Sequence, residues 1–133
     1  MRLPWLRRPR HADRQALGQR SEHLARRFLH AQGYTIEAIN LRYPVGEIDI
    51  LAREGATLCF VEVRSTSSEA WGGPLATIGL EKQRRQRRAA DWFLSRHRLP
   101  SDIRELRFDV VAVAWREERE PSVELIRGAF DAG

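Results

Sequence analysis

The chain has almost no lysine and almost no cysteine. Of its 133 residues, 22 are Arg and one, Lys82, is Lys. A single cysteine, Cys59, excludes an internal disulfide, and a reducing, cytoplasmic setting is expected. The four histidines, at 11, 23, 30 and 97, lack zinc-site spacing, and there is no glycine-rich nucleotide loop. Zinc and nucleotide-loop chemistry are therefore not expected. The opening "MRLPWLRRPR" has no apolar run of signal-peptide length, and no stretch approaches membrane-spanning length. No membrane partner is expected, and no internal repeat is present.

What remains is one domain's worth of chain, 42% hydrophobic and 31% charged, with a formal net charge of +5. The charge is unevenly placed. Residues 1–14 carry five Arg against one Asp, and residues 81–98 carry seven basic residues against two acidic ones. The remainder is net negative. A polyanion suits the two basic segments and a cation suits the rest. Residues 1–12 read as a basic flexible tail and 13–133 as a single domain.

Hydrophobic periodicity predicts a helix over 13–32, stopped by Gly33, with Leu17, Leu24 and Phe28 on one stripe. Strands follow in "YTIEAINLR", "GEIDILA" and "TLCFVEVRS", the last two joined through "REGA". A Ser- and Gly-rich loop containing Trp71 leads to a helix over 78–98, which Pro100 ends. "ELRFDVVAVAW" and "SVELI" read as strands, and 127–130 as the start of a terminal helical turn. This order predicts an α/β or α+β fold with one mixed sheet flanked by helices.

Two strands carry an acid where acids are depleted. Asp49 lies between Ile48 and Ile50, and Glu62 between Val61 and Val63. By alternation Glu47, Asp49 and Leu51 share a face, as do Leu58, Phe60, Glu62 and Arg64. In a hairpin, Asp49 and Glu62 can then lie side by side, which is costly unless something neutralises them. Each could be satisfied by one of the many arginines. As a pair with a Glu-x-Arg sequence they favour a divalent cation, and hard oxygen donors suit Mg²⁺ or Mn²⁺. Such an ion polarises a phosphate and activates water, while Arg64 would stabilise transition-state charge.

"GEIDI", "FVEVR" and "RFDVVAV", with "GQRSEHLARRFLHAQGY" upstream, Lys82 between and "AF" at the close, resemble the YraN family of small bacterial proteins. That family is similar to the PD-(D/E)xK nucleases and to archaeal Holliday junction resolvases. The resemblance implies a restriction-endonuclease-like core of helix, three strands, helix and strand. It implies a DNA endonuclease using Mg²⁺ or Mn²⁺, acting on branched or structured DNA, or a non-catalytic DNA-binding accessory on the same scaffold. Asp49 and Glu62 would be metal ligands, Glu22 a third acidic contributor, and the Val63 backbone carbonyl another ligand. Junction cutting also implies a homodimer, and repair or recombination proteins as partners. Arg64 stands where the superfamily usually has Lys, and Arg effectively does not deprotonate.

The single lysine is then informative. Lys82 shares a helical side with Gln86, Ala89 and Phe93, the side expected to face the sheet. It is expected to reach the carboxylates or the scissile phosphate and supply the amine missing at position 64; the alternative is a solvated helix residue. Arg84, Arg85, Arg87 and Arg88 on the same helix are expected to contact phosphates, Trp71 to stack on a base or pack under the domain, and Gln83 to orient water. Asp109 and Arg107 in "RFDVV" are expected to form a structural pair.

Overall fold

The computed structural model describes residues 11–67 and 78–131. The N-terminal basic segment up to residue 10 and Trp71 lie outside the described residues. The element order is α1 (His11–Ala31), β1 (Thr35–Tyr43), β2 (Gly46–Glu54), β3 (Thr57–Thr66), α2 (Leu80–Arg96), β4 (Glu105–Ala114) and β5 (Ser122–Phe130). Helix α1 therefore begins two residues inside the stretch expected to be tail.

The strands form one five-stranded sheet in the order β1-β2-β3-β4-β5. All neighbouring pairs are antiparallel except β3 and β4, which run parallel in register from Thr57↔Glu105 to Thr66↔Ala114. A parallel step needs a crossover, and the chain makes it through α2. The result is the α+β architecture expected from the sequence, a mixed sheet with a helix on each face.

Two apolar clusters hold the layers together. Ala25 and Leu29 of α1 pack on Ile50, Ala52, Cys59, Val61, Val111 and Val113. Ala89, Ala90 and Phe93 of α2 pack on Ile48, Leu51, Leu58, Phe60 and Phe108. Strand β3 feeds both, alternating Cys59 and Val61 to one side with Leu58 and Phe60 to the other, as period two requires. Burying a side chain of this size contributes about 1.5–3 kcal/mol. Burial also pushes the Cys59 thiol up to about 12.

Local signals set the element ends. Gly33 at φ +97° closes α1 in a Schellman arrangement, with its N–H donating to His30 O and that of Tyr34 to Leu29 O, both at 3.0 Å. At the start of β2, a Cβ on Gly46 would meet the Arg85 carbonyl oxygen at 3.1 Å. The missing side chain lets the α2 backbone settle against β2, which fixes where α2 presents its inner side.

Two expectations need correction. Residues 127–130 are not helical but complete β5, with Phe130 stacked on Phe108 at 4.6 Å. The open edge of β4 and its apolar face outcompete a single helical turn. Alternation also fails at one point in β2. Ile48 packs on the α2 side and Ile50 on the α1 side, so they do not share a face. The phase changes at Asp49.

The pairing of Arg107 with Asp109 is as expected and extends further. Asp109, fully buried, accepts from Arg107 Nε (2.8 Å) and Nη2 (3.0 Å), the Tyr34 hydroxyl (2.7 Å) and the Gly128 N–H (3.0 Å). Arg107 also reaches Glu54 at 2.8 Å, and Arg127 closes on Glu54 at 2.6 Å. This network ties α1's end, β2, β4 and β5 together, at the end of β2 and β3 remote from Asp49 and Glu62.

Candidate functional site

The β2–β3 ladder runs from Glu54↔Thr57 to Ile50↔Val61 and goes no further. Asp49 and Glu62 are the next residue on each strand. There the strands part, and the Asp49 carboxylate replaces the ladder by accepting the Val63 N–H at Oδ2 (2.8 Å). On the opposite flank, Asn40 of β1 sits between the pairs Ile39↔Ile50 and Leu41↔Ile48, with φ at +51°. A non-glycine residue in the left-handed region inside a strand is unusual and costly. The backbone is thus irregular on both sides of Asp49.

The wedge brings the two acids together. Glu62 is 5% exposed. The Asp49 carboxyl is pushed up to about 8, first by burial and next by the Glu62 charge, with the Val63 N–H pulling the other way. Helix α2 answers this from the other side. Lys82 Nζ lies 2.8 Å from Glu62 Oε1, and Gln86 Nε2 donates to Oε2 at 2.7 Å. Lys82 thus reaches the acids from the helix side expected to face the sheet.

Glu22 lines the same cleft from α1, with Asp49, Glu62, Lys82 and Asn40. Its carboxyl is raised, by burial above all, with Arg26 opposing. With its amide nitrogen turned toward the carboxylate, Asn40 donates to Glu22 Oε1 (3.0 Å) and Oε2 (3.2 Å); the reverse orientation would set oxygen against oxygen. Among the described residues, no three His, Cys, Asp or Glu side chains already gather around one point; Glu22 faces the Asp49–Glu62 pair across the cleft. The donor set is a pair of hard carboxylates whose charges oppose each other, offset only in part by Lys82, Gln86 and the Val63 N–H. That fits Mg²⁺ or Mn²⁺, which take one or two carboxylates and keep several waters, and does not fit zinc.

Other sequence candidates fall in different places. Val63 and Ser65 line the cleft, while Arg64 between them is half-buried and pairs in register with Ala112 of β4. Gln83 does not orient water at the acids: its amide donates to Ile78 O at 2.7 Å and secures the start of α2. Arg84 sits 3.6 Å from Glu81, and Arg87 donates to Asp131 O at 3.1 Å. Arg85 and Arg88 are exposed, and Arg85 lines a second cavity next to the acids. Sequence reasoning did not assign Asn40 or Gln86 to the site. Gln86 carried a signal, its place one turn from Lys82; Asn40's only signal was a turn-forming residue inside a strand.

The family model "Uncharacterised protein family UPF0102" matches residues 21–113, from the middle of α1 to the last residue but one of β4. The chain belongs to the UPF0102 family. This is the YraN family that the motifs resemble. A UPF0102 protein of Desulfosudis oleivorans is 48% identical over 120 residues, covering 90% of this chain and 94% of its own. A UPF0102 protein of an Anaeromyxobacter species is also 48% identical, over 90% of this chain and 87% of its own. A UPF0102 protein of Myxococcus xanthus is 42% identical over 96% and 99%. The UPF0102 segment contains every side chain of the acid site: Glu22, Asn40, Asp49, Glu62, Lys82 and Gln86.

Proposed function

We propose that this UPF0102 chain is a metal-dependent endonuclease that hydrolyses DNA phosphodiester bonds, with branched or otherwise structured DNA as its substrate. One observation carries the reading: Asp49 and Glu62 converge where β2 and β3 separate, with a lone lysine held against them. Asp49 and Glu62 would hold Mg²⁺ or Mn²⁺, which when bound lowers the pKa of water and offsets charge on the phosphate. Gln86 and the Val63 N–H fix the rotamers of the two carboxylates. Lys82, half exposed at the cleft and paired with Glu62, would offset phosphate charge as water attacks phosphorus and one P–O ester bond breaks. Arg64 would act electrostatically from β3. Arg85 and Arg88 would bind the phosphate backbone without regard to sequence.

The setting fits a reducing cytoplasm, since the one cysteine is buried and unpaired. Among the described residues no helix is long and apolar enough to cross a membrane. Cutting a symmetric junction would require two copies of the chain.

A second reading is a non-catalytic DNA-binding accessory that works with a repair or recombination protein. The observation favouring it is that both Glu62 oxygens already accept from Lys82 and Gln86. Incubation with Mg²⁺ or Mn²⁺ on linear, flapped and four-way DNA separates the two. Cutting that Asp49→Ala abolishes while binding persists supports the nuclease; binding without cutting on every substrate supports the accessory.

A further inference from the structure

We propose that the trough beside the acids is a track for one DNA strand, with Arg42 and Arg85 gripping the backbone phosphate next to the scissile one. This rests on the DNA reading above and adds to it a substrate preference and two anchoring residues. Two cavities meet at the acids. One, of about 440 Å³, contains Glu22, Asn40 and Asp49. The other, of about 510 Å³, runs between the β1–β2 turn and α2. Both are lined by Arg42, Glu47, Glu62 and Lys82, so they form one continuous trough past the Lys82–Glu62 pair. Each is within the about 300–1,000 Å³ usual for ligand pockets.

Charge and shape select the occupant. The second cavity is lined by three cations, Arg42, Lys82 and Arg85, against two carboxylates, Glu47 and Glu62. Lys82 is committed to Glu62. Arg42 and Arg85 are exposed and make no ion pair or side-chain hydrogen bond among the described residues. They come from different elements, β1 and α2, and line one cavity, as two anchors of a backbone phosphate would. One aromatic residue lines the cavity. Tyr43 is backed by Trp92 at 6.2 Å, which carries the Arg96 guanidinium 3.6 Å from its ring centre. An aromatic ring in the same cavity as guanidinium groups is the chemistry of single-strand binding, where a base or sugar packs on the ring while the backbone follows the cations. The outer arginines of α2 are less available: Arg84 faces Glu81, and Arg87 lies over Phe130 at 5.3 Å while donating to Asp131 O.

The test is fluorescence anisotropy of the full chain with labelled single-stranded and duplex DNA of one sequence, in EDTA, across a salt series. Single-stranded DNA binds more tightly than duplex. Arg42→Gln with Arg85→Gln weakens single-strand binding by about tenfold and reduces the salt slope by about 1.4, two contacts at about 0.7 each. Arg84→Gln with Arg104→Gln, the latter at the far end of the sheet, has a smaller effect, and Tyr43→Ala narrows the gap between single strand and duplex. All these side chains except Tyr43 are exposed, so the arginine variants keep the fold. Preference for duplex, or equal losses from the two double variants, overturns the track. Cutting with Mn²⁺ is scored separately. DNA cut by a protein whose binding ignores Arg42 and Arg85 removes the track and leaves the nuclease; track-dependent binding without cutting removes the nuclease and leaves the track.

Discussion

Lys82 Nζ lies 2.8 Å from Oε1 of Glu62, so the chain's single lysine sits against the buried acid of β3. Arginine has replaced lysine everywhere else in this sequence, and charge alone does not explain the exception. A guanidinium is a wide planar fork, whereas an ammonium is a compact donor on a flexible stem. Lys82→Arg is therefore expected to lower DNA cutting by at least about tenfold, through misplacing the charge at the phosphate. The Lys82 side chain is 40% exposed, so its pair with Glu62 is expected to contribute at most about 1 kcal/mol to stability. Cleavage rates and urea unfolding on the same variant check both halves; unchanged cleavage would show that any cation suffices.

The Asp49 carboxyl makes the metal-free protein sensitive to alkali. Its folded value is raised from 3.8 to about 8 by burial and by Glu62. Between those two pH values the folded state binds more protons than the unfolded state, so stability falls as pH rises. Below the lower value the contribution is fully present. Asp49→Asn is expected to raise the melting temperature in EDTA at pH 8 and to leave it nearly unchanged at pH 4. A melting temperature that responds equally at both pH values would contradict the cause assigned here.

Asp109 is the structural acid of the sheet, and its loss should be severe. It is fully buried and accepts from Arg107, Tyr34 and Gly128. Removing one partner of a buried pair costs about 3–5 kcal/mol. Asp109→Ala is expected at that level. Tyr34→Phe removes two hydrogen bonds, one donated to Asp109 (2.7 Å) and one accepted from Arg107 (3.1 Å), and should cost about 1–3 kcal/mol. Denaturant midpoints give both numbers, and a mild Asp109→Ala would mean Arg107 finds full compensation in Glu54.

Asn40 separates backbone from side chain. Its φ of +51° suits glycine, and its amide serves Glu22. Asn40→Ala forces a Cβ into the left-handed region, at about 1–2 kcal/mol. Asn40→Gly relieves that and should unfold at nearly the native denaturant concentration, while both variants release the Glu22 carboxylate. Titration calorimetry with Mn²⁺ is expected to show the same weakened binding for both. Native affinity in Asn40→Gly would assign Asn40 to the backbone alone.

On α1 the buried line is Ser21, Ala25 and Leu29 rather than the stripe of Leu17, Leu24 and Phe28. The sequence by itself determined the element order as far as β5, the inner side of α2 and the family. These depend on local periodicity, on punctuation such as Gly33 and Gly55, and on residue types that recur in a fixed order. Asp49 and Glu62 stood out because each broke strand propensity, and Lys82 because it broke the chain's own composition. Strict alternation led astray at β2, placing Ile48 and Ile50 on one face, and 127–130 read as a helical turn although they are strand. Only the tertiary structure decided these points. The open edge of β4 pairs with residues 122–126 and again with Phe130, across an irregularity, and so carries β5 through 127–130. The parting of β2 from β3 turns a regular hairpin into a wedge, and α2 lays Lys82 and Gln86 across it. No local pattern encodes that wedge, because it arises from competition between ladder hydrogen bonds and the side chain of Asp49 for the same Val63 N–H.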